Sequence, residues 1–261
     1  MLVLVVRGFE EATVPAYRGR VDPAADIEEL LAEMLFADLE RVSARIDRLE
    51  SAVKKPTARR DEQQRELEVM KRLMAGLEAE QPLADVVHAE PETKLLRSFQ
   101  FLTLKPTLAV LNCGESDAGG AGPEELSGLP CLQLSAEIEE EIAQLPPSER
   151  GGFLADLGLT EPARDRLVRA CYQRLNLVSF LTEGSNECRA WSVPAGTDAL
   201  GAAGAVHSDM ARGFIRAEVV AFDDLKALGD HKAAKAAGKS RLEGKTYVVQ
   251  DGDVIYFHFN V

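Results

Sequence analysis

Two short polar segments carry the side chains best suited to chemistry in this sequence. Each follows an apolar run with the character of a buried strand, and together they contain Asn112, Cys113, Glu115, Ser135 and Ala136. Ligand sites in open α/β sheets form at the carboxyl ends of the strands. Amide, carboxylate and backbone groups at such ends can hydrogen-bond a planar ring, so both segments are candidate ligand loops. The alternative is that they are two ordinary polar turns.

Taken together, the two segments resemble the base-reading loops of P-loop nucleotide domains. In those loops an Asn side chain orients the turn, an acid probes the edge of the base, and backbone amides of a Ser-Ala turn contact the ring. The resemblance therefore predicts a nucleotide base site at residues 112–115 and 135–136.

The sequence offers no phosphate-binding loop to accompany this site. Gly238-Lys239-Ser240 and Gly244-Lys245-Thr246 lack the upstream glycine of that pattern, because Ala233 and Lys239 stand in its place. No Ser/His/Asp or Cys/His grouping is visible, so no catalytic residue is predicted. Of the histidines, His88 and His231 are expected to be exposed, and His207 is expected to make a structural hydrogen bond.

Two basic segments could contact the phosphates of a nucleic acid. The first is Lys54, Lys55, Arg59 and Arg60, which lie without an acid between two predicted helices. The second lies within residues 226–245, which carry a net charge of +4 and include Lys232, Lys235, Lys239 and Arg241. Phosphate contacts use such cations to position a protein on nucleic acid. An ordinary solvated surface is the alternative for both segments.

Composition excludes several classes of protein. The chain has 261 residues and a net charge of −13, which argues against nonspecific nucleic-acid binding by the whole surface and gives no indication of DNA specificity. Four dispersed cysteines without a C-x-x-C pair favour a reduced cytoplasmic chain over a disulfide framework or a zinc site, so no metal is predicted. The apolar run 1–6 is far shorter than the roughly 20 residues of a membrane span, so no membrane association is expected.

The elements that position these residues can be predicted from periodicity. Residues 2–6 are apolar on both faces, as in a central parallel strand, and 107–111 and 131–134 are further strands. Asp22 and Pro23 begin a long helix, and apolar residues alternate at spacings of three and four up to Val53. A second seam of this kind from Leu67 to Leu77 predicts an antiparallel helical arm with the first basic segment at its tip.

The last part of the chain has a different pattern. Short strands are predicted at 177–182, 187–193, 247–249 and 254–259, with a helix at 222–228. The last two strands are expected to form a hairpin around Asp251-Gly252. A small mixed β unit with one helix is the β-grasp pattern.

Several longer motifs resemble the YchF/Obg-like ATPase family. In the first two-thirds of the chain they are Val5-Val-Arg-x-Phe9, Val21-Asp-Pro-x-x-Asp-Ile-Glu28, Ala37-Asp-Leu-Glu40, Lys105-Pro106 and Ser135-Ala-x-Ile-Glu-x-Glu141. Further along they are Arg189-Ala-Trp191, Ala202-Ala-Gly-x-Val-His-Ser-Asp209, Gly213-Phe-Ile-Arg-Ala-Glu-Val219, Tyr247-x-Val-x-Asp-Gly-Asp-Val254 and Phe259-Asn-Val261. The resemblance covers essentially the whole chain.

The resemblance implies an architecture of mixed α/β and α+β domains. An incomplete P-loop-type nucleotide domain, at 1–22 and 83–145, would be interrupted by a helical coiled-coil arm at 23–82. Connecting helices at 146–176 would lead to a TGS domain of β-grasp fold at 177–261. The resemblance also implies association with ribosomes or ribosomal RNA, and ATP binding and hydrolysis in preference to GTP, since Asn112-x-x-Glu115 departs from the guanine-reading N-K-x-D loop.

The departures from the family limit what this chain is expected to do alone. The family's phosphate loop, magnesium-binding Thr and D-x-x-G switch would all precede residues 2–6, and none is present. ATP binding is therefore expected to be weak or absent in this chain, hydrolysis absent, and magnesium binding confined to a full-length parent. Glu137, where the family usually has Lys, also departs from the base site. The alternatives are a non-enzymatic ribosome- or RNA-binding adaptor and a fragment with a misassigned start.

Overall fold

A computed structural model of the chain describes residues 1–56, 58–87, 90–183 and 187–260. Two predicted features lie outside these residues: Thr57 of the arm tip and His88. The chain divides into two compact units, Met1–Cys171 and Tyr172–Val261, each with its own sheet and apolar core. Among the described residues, no helix combines the length and apolar character needed to cross a membrane.

The first unit contains a four-stranded sheet in the order β1-β2-β4-β3. The strands are β1 (Leu2–Arg7), β2 (Thr107–Asn112), β3 (Glu125–Leu126) and β4 (Leu129–Leu134). β1, β2 and β4 run parallel, whereas the short β3 pairs antiparallel with β4. The carboxyl ends of β2 and β4 therefore lie side by side, and both predicted ligand loops leave the same edge of the sheet.

β1 does not occupy the central, covered position that its apolar sequence predicts. It is an edge strand, and its Leu4 and Val6 side chains are buried in the core, with Leu2 packed against them. The side chains on its other face, Val3 and Val5, are 40% and 65% exposed. The prediction of a strand covered on both faces is wrong here, because the described residues leave the Val3 and Val5 face open to solvent.

Two long helices, α1 (Pro23–Val53) and α2 (Arg60–Glu78), run antiparallel and pack along their length. Asp22 caps α1 by accepting a hydrogen bond from the Ala25 amide at 3.1 Å, and Pro23 occupies the first turn, as predicted. The predicted seam residues all pack into one apolar cluster: Leu35, Leu39, Val42, Ile46, Leu49, Val53, Leu67, Met70, Met74 and Leu77. Spacings of three and four place them on one helix face.

Two buried carboxylates attach these helices to their surroundings. Asp38 of α1 is fully buried and accepts hydrogen bonds from the Leu102 amide (2.9 Å), the Thr103 amide (2.7 Å) and the Thr103 hydroxyl (2.8 Å). Glu66 of α2 is 7% exposed and accepts two hydrogen bonds from Arg45 of α1, at 2.7 and 2.8 Å. Buried charges persist in proteins when they are paired in this way.

Shorter helices complete the first unit. They are α3 (Leu83–Val86), α4 (Glu90–Leu96), α5 (Ala136–Gln144), α6 (Pro147–Asp156) and α7 (Ala163–Arg174), the last of which crosses the boundary between the units. Glu139 of α5 accepts a hydrogen bond from the Ala163 amide at 2.6 Å. This contact satisfies a free amide in the first turn of α7 and joins that helix to α5.

The second unit contains a five-stranded sheet in the order β6-β5-β9-β7-β8. The strands are β5 (Leu177–Glu183), β6 (Cys188–Pro194), β7 (Phe214–Ala221), β8 (Arg241–Glu243) and β9 (Asp253–Phe259). β5 pairs antiparallel with β6 and parallel with β9. The helices are α8 (Ala199–Val206), α9 (Ser208–Arg212), α10 (Phe222–Leu228) and α11 (His231–Ala236). Phe180, Ile255 and Phe257 pack with alanines of α8 in its core.

The predicted hairpin of residues 247–249 with 254–259 is wrong. Val248 instead bridges to Asp198, and β9 pairs with β7 and β5. The buried Asp253 carboxylate accepts hydrogen bonds from the Tyr247 hydroxyl at 2.7 Å and the Gln250 amide at 2.9 Å. Both hydrogen bonds join residues within 247–253, so this segment forms a loop. Its backbone therefore does not run alongside β9 as a strand.

The two remaining histidine predictions have different outcomes. His207 makes a structural hydrogen bond, as predicted, because its Nδ1 accepts from the Asp209 amide at 3.1 Å and caps α9. His231 is half-buried rather than exposed, with its Nε2 2.8 Å from a carboxylate oxygen of Glu183.

Candidate functional site

The structure brings the two predicted ligand loops together. Asn112, the last residue of β2, lies opposite Leu134, the last residue of β4. The Asn112 side-chain oxygen accepts a hydrogen bond from the Ala136 amide at 3.0 Å, and the Cys113 amide donates to the Leu134 carbonyl at 2.8 Å. One side chain thus fixes the position of one loop relative to the other. The Ala136 amide is committed to this bond and is not free to contact a ligand.

Glu115 extends from the first loop toward solvent. It begins a short 3-10 turn over Glu115–Asp117 and is exposed. Within the described part of the chain, its carboxylate has no hydrogen bond or ion pair. It can therefore accept hydrogen bonds from a ligand without first breaking an internal contact.

Ser135 contributes a second unused polar group. The residue is 4% exposed, and its hydroxyl has no hydrogen-bond partner among the described residues. Although Ser135 occupies the N-cap position of α5, its side chain makes no capping hydrogen bond. A buried hydroxyl without a partner costs free energy, so a ligand or water that satisfied it would gain affinity.

Cys113 has a supporting position between these groups. It is 5% exposed, and burial raises the pKa of its thiol. The neutral thiol is thus favoured, which suits a residue that packs beneath the loop rather than a nucleophile. Across the described residues, no group of three or more His, Cys, Asp and Glu side chains could hold a metal ion.

Sequence reasoning assigned no role to the segment that follows β1. Gly8 donates from its amide to the Asn112 carbonyl at 2.8 Å, and a Cβ at this position would lie 2.6 Å from a Leu111 methyl group. A larger residue here would have to displace that methyl group. Phe9 then lies beside Gly114, and the Arg7 guanidinium stacks 4.9 Å from the centre of its ring. Phe9 is therefore an apolar neighbour of the two predicted ligand loops.

The two predicted basic segments have different surroundings. Lys54, Lys55, Arg59 and Arg60 are exposed between α1 and α2, and they form no ion pair with any other described residue. In the second segment, Lys235 lies 3.6 Å from Glu218, Lys239 lies 3.1 Å from Asp224, and Arg241 lies 3.8 Å from Asp253.

Of Lys232, Lys235, Lys239 and Arg241, only Lys232 has no carboxylate partner among the described residues. The net charge of +4 in the sequence overstates what the second segment presents to a partner. The first segment exposes all four of its cations, of which Lys54 contributes, after Lys71, to the lowered pKa of Glu50.

Comparisons with known proteins show which proteins this chain is similar to. The family model YchF-GTPase_C, described as a protein of unknown function (DUF933), matches residues 177–260. The ribosome-binding ATPase YchF of Bacillus subtilis (strain 168) is 41% identical over 267 residues, which are 98% of this chain and 72% of that protein. Obg-like ATPase 1 of Oryza sativa subsp. japonica is 36% identical over 268 residues, covering 98% of this chain and 67% of that protein.

A solved structure is similar over the same extent. The structure of the Schizosaccharomyces pombe YchF GTPase matches with a TM-score of 0.80 and 26% sequence identity, covering 98% of this chain and 71% of that chain. Identity above 40% to a relative of which most is covered leaves no doubt about ancestry, and the chain belongs to the YchF family.

Proposed function

We propose that this chain supplies the base-binding loops and the ribosome-contacting surfaces of a YchF-type ATPase. The observation that carries the proposal is the hydrogen bond from the Ala136 amide to Asn112, which fixes both base loops at one edge of the sheet. The proposed parts are an incomplete nucleotide domain, a coiled-coil arm made of α1 and α2, and a β-grasp TGS domain in the second unit. The proposed setting is the cytoplasm.

The proposed ligand of the base loops is ATP in preference to GTP. A guanine-reading loop uses an Asp to accept hydrogen bonds from N1 and N2 of the base, and the longer Glu115 in this loop changes where that carboxylate can reach. Glu115 and the Ser135 hydroxyl are the unused polar groups at the site, and Phe9 offers an apolar contact for a ring. Exchange of Glu115 for Asp would shift the preference toward GTP.

Hydrolysis requires groups that this sequence does not supply. Phosphate contacts and magnesium provide most of the grip and the rate acceleration in P-loop sites. The open face of β1, with Val3 and Val5 exposed, is where we propose that a phosphate-binding segment belongs. We therefore expect the purified 261-residue chain to bind ATP weakly and not to hydrolyse it. Hydrolysis above that of a mock preparation would contradict this expectation.

The proposed ribosome contact is the set of four cations at the arm tip. These side chains are exposed and unpaired within the described chain, and the residues 1–176 that surround them in sequence carry 21 basic and 32 acidic side chains. An isolated basic tip on an acidic body directs phosphate contacts to one place.

A pair of matched variants tests this contact. Lys54→Glu with Lys55→Glu changes the charge by the same amount as Lys226→Glu with Lys232→Glu, and all four lysines are exposed. We expect the first variant to lose cosedimentation with ribosomes and the second to retain it. If the first variant still cosedimented with ribosomes, or if only the second variant lost cosedimentation, the arm tip would not be the ribosome contact.

A non-enzymatic ribosome- or RNA-binding adaptor is the second candidate function. It is favoured by the arm tip itself, whose charges require neither nucleotide nor magnesium. The DNA immediately upstream of Met1 distinguishes the two candidates. An in-frame sequence encoding G-x-x-x-x-G-K-S would support the ATPase, whereas an intergenic gap would support the adaptor.

A further inference from the structure

One side chain of β1 holds residues 9–14, the segment that follows this strand. The guanidinium of Arg7 donates three hydrogen bonds to carbonyl oxygens of the segment: from Nε to Phe9 at 2.8 Å, from Nη1 to Val14 at 2.9 Å and from Nη2 to Glu11 at 3.3 Å. Among the described residues, no other hydrogen bond joins this segment to the rest of the chain. The three bonds reach both ends and the middle of the segment, so Arg7 fixes its path.

The segment has little else to keep it in place. Residues 10–14 are all exposed, and none of them belongs to an apolar cluster of the described chain. The Glu11 carboxylate accepts hydrogen bonds from the Thr13 amide at 2.9 Å and the Thr13 hydroxyl at 2.8 Å, but these bonds stay within the segment. Exposed segments with few buried contacts open readily. Without Arg7, residues 9–14 should therefore leave their position.

The contacts of Arg7 require an arginine and not only a positive charge. Three different nitrogens of one planar group each donate to a different carbonyl oxygen. A lysine has one nitrogen on a flexible stem, and it cannot reproduce this fixed fork of donors. Arg7→Lys therefore keeps the charge and removes the geometry.

Arg7 also fixes the aromatic ring that borders the two predicted ligand loops. Its guanidinium carbon lies 4.9 Å from the centre of the Phe9 ring, within the range of a cation–π contact. Arg7 lies opposite Asn112 in the register of β1 and β2, and the Gly8 amide donates to the Asn112 carbonyl at 2.8 Å. A Cβ at Gly114 would lie 3.5 Å from the Cβ of Phe9. Both the backbone and the ring of Phe9 are thus held at the edge where Asn112 ends β2.

We infer that Arg7 is a positioning residue of the proposed base site, which holds residues 9–14 so that the Phe9 ring stays where it can contact an adenine. Arg7 acts through Phe9 and does not touch the ligand. The inference rests on the proposed function, because it takes the adenine ligand from it. If Phe9 were in place only about one-fifth of the time, the apparent affinity for ATP would fall about fivefold.

Fluorine NMR of the full chain, with fluorophenylalanine at its 10 phenylalanine positions, observes Phe9 directly. The resonance that Phe9→Leu removes belongs to Phe9. In the wild-type chain we expect ATP to shift this resonance saturably. In Arg7→Lys without ATP, the resonance should move to the position of a mobile, solvated phenylalanine. The Kd for ATP, taken from the resonances that ATP shifts, should rise about fivefold or more in this variant.

Two comparisons separate positioning from charge and from a loss of folding. Arg18→Lys is the matched control, because Arg18 is an exposed arginine that pairs with Glu29 of α1, and it should leave the Phe9 resonance and the Kd unchanged. Arg7→Ala should behave as Arg7→Lys does. Guanidinium ions, at a concentration far below that which unfolds the chain, should restore its Phe9 resonance and its affinity for ATP, whereas ammonium ions should not.

The possible failures are distinguishable. If ATP shifted no resonance of the wild-type chain, the proposed base site would be wrong and the inference with it. If the wild-type chain bound ATP and Arg7→Lys had the same Phe9 resonance and the same Kd, the inference alone would be overturned. Equal restoration of Arg7→Ala by ammonium and guanidinium ions, or restoration by neither in a variant with wild-type circular dichroism, would also overturn it.

Discussion

Substitution of Asp38 by alanine should destabilise the first unit strongly. The carboxylate is fully buried on α1 and accepts hydrogen bonds from the Leu102 and Thr103 amides and the Thr103 hydroxyl, at 2.7–2.9 Å. In the variant both amides lose their acceptor in a partly buried site. These contacts attach α1 to a segment more than 60 residues further along the chain.

The magnitude follows from the two amides. Each buried donor left without a partner costs about 1–3 kcal/mol, while removal of a buried charge returns part of that cost. We expect a net loss of about 3 kcal/mol in the free energy of unfolding. For a unit of this size, each kcal/mol lowers Tm by about 2–4 °C, so Tm should fall by about 6–12 °C.

The assay is thermal denaturation followed by circular dichroism at 222 nm, with Trp191 emission as a separate probe of the second unit. Glu40→Ala is the matched control, because Glu40 is an exposed acid on the same helix and should change stability by less than about 0.5 kcal/mol. Asp38→Asn should lose about half as much stability as Asp38→Ala, since its oxygen can still accept from one amide. A Tm for Asp38→Ala equal to that of Glu40→Ala would refute the reasoning.

Three further predictions concern other contacts. Arg45→Ala leaves the buried Glu66 carboxylate without its partner and should cost about 2 kcal/mol in urea denaturation. Burial and the hydrogen bond to Asp253 raise the pKa of Tyr247 to about 12, above its unfolded value near 10. The resulting stability is therefore present below pH 10 and lost as pH rises toward 12, and alkaline denaturation of Tyr247→Phe should lack this loss. Asn112→Ala should speed hydrogen exchange of the Ala136 amide about tenfold, which corresponds to about 1.4 kcal/mol.

Local signals were sufficient to predict the long helices and several strands, but not β7, β8, α8, α9 or α11 of the second unit. The Asp22 cap and the spacing of apolar residues placed α1 and α2 correctly, because both signals act within one or two helical turns. The adjacency of the two predicted ligand loops could also be predicted, since parallel strands end at a common edge. Neither the partners of Asp38 nor the loop that Asp253 closes could be predicted, because hydrogen bonds between distant segments leave no periodic pattern.

Charge counts were the least reliable sequence signal. The second basic segment has a net charge of +4 in sequence, but three of its cations lie beside carboxylates contributed mostly from outside the segment. Glu218, on β7, pairs with Lys235 on α11 because the fold brings a strand and a helix together. A count along the chain includes only neighbours in sequence, so it cannot separate paired from free charges.

The position of β1 supports the proposed place of the phosphate-binding segment. Its sequence has apolar side chains on both faces, which is the pattern of a strand covered on both sides. The structure covers one face only and leaves Val3 and Val5 in solvent, on an edge strand whose single charged residue, Arg7, stands at its end. Burial of both valines would release each from an unfavourable contact with water. A strand that paired with β1 would satisfy its open edge, and an element packed on the sheet would cover Val3 and Val5. Such a segment would lie beside the strand whose following residues, Gly8 and Phe9, border the two predicted ligand loops.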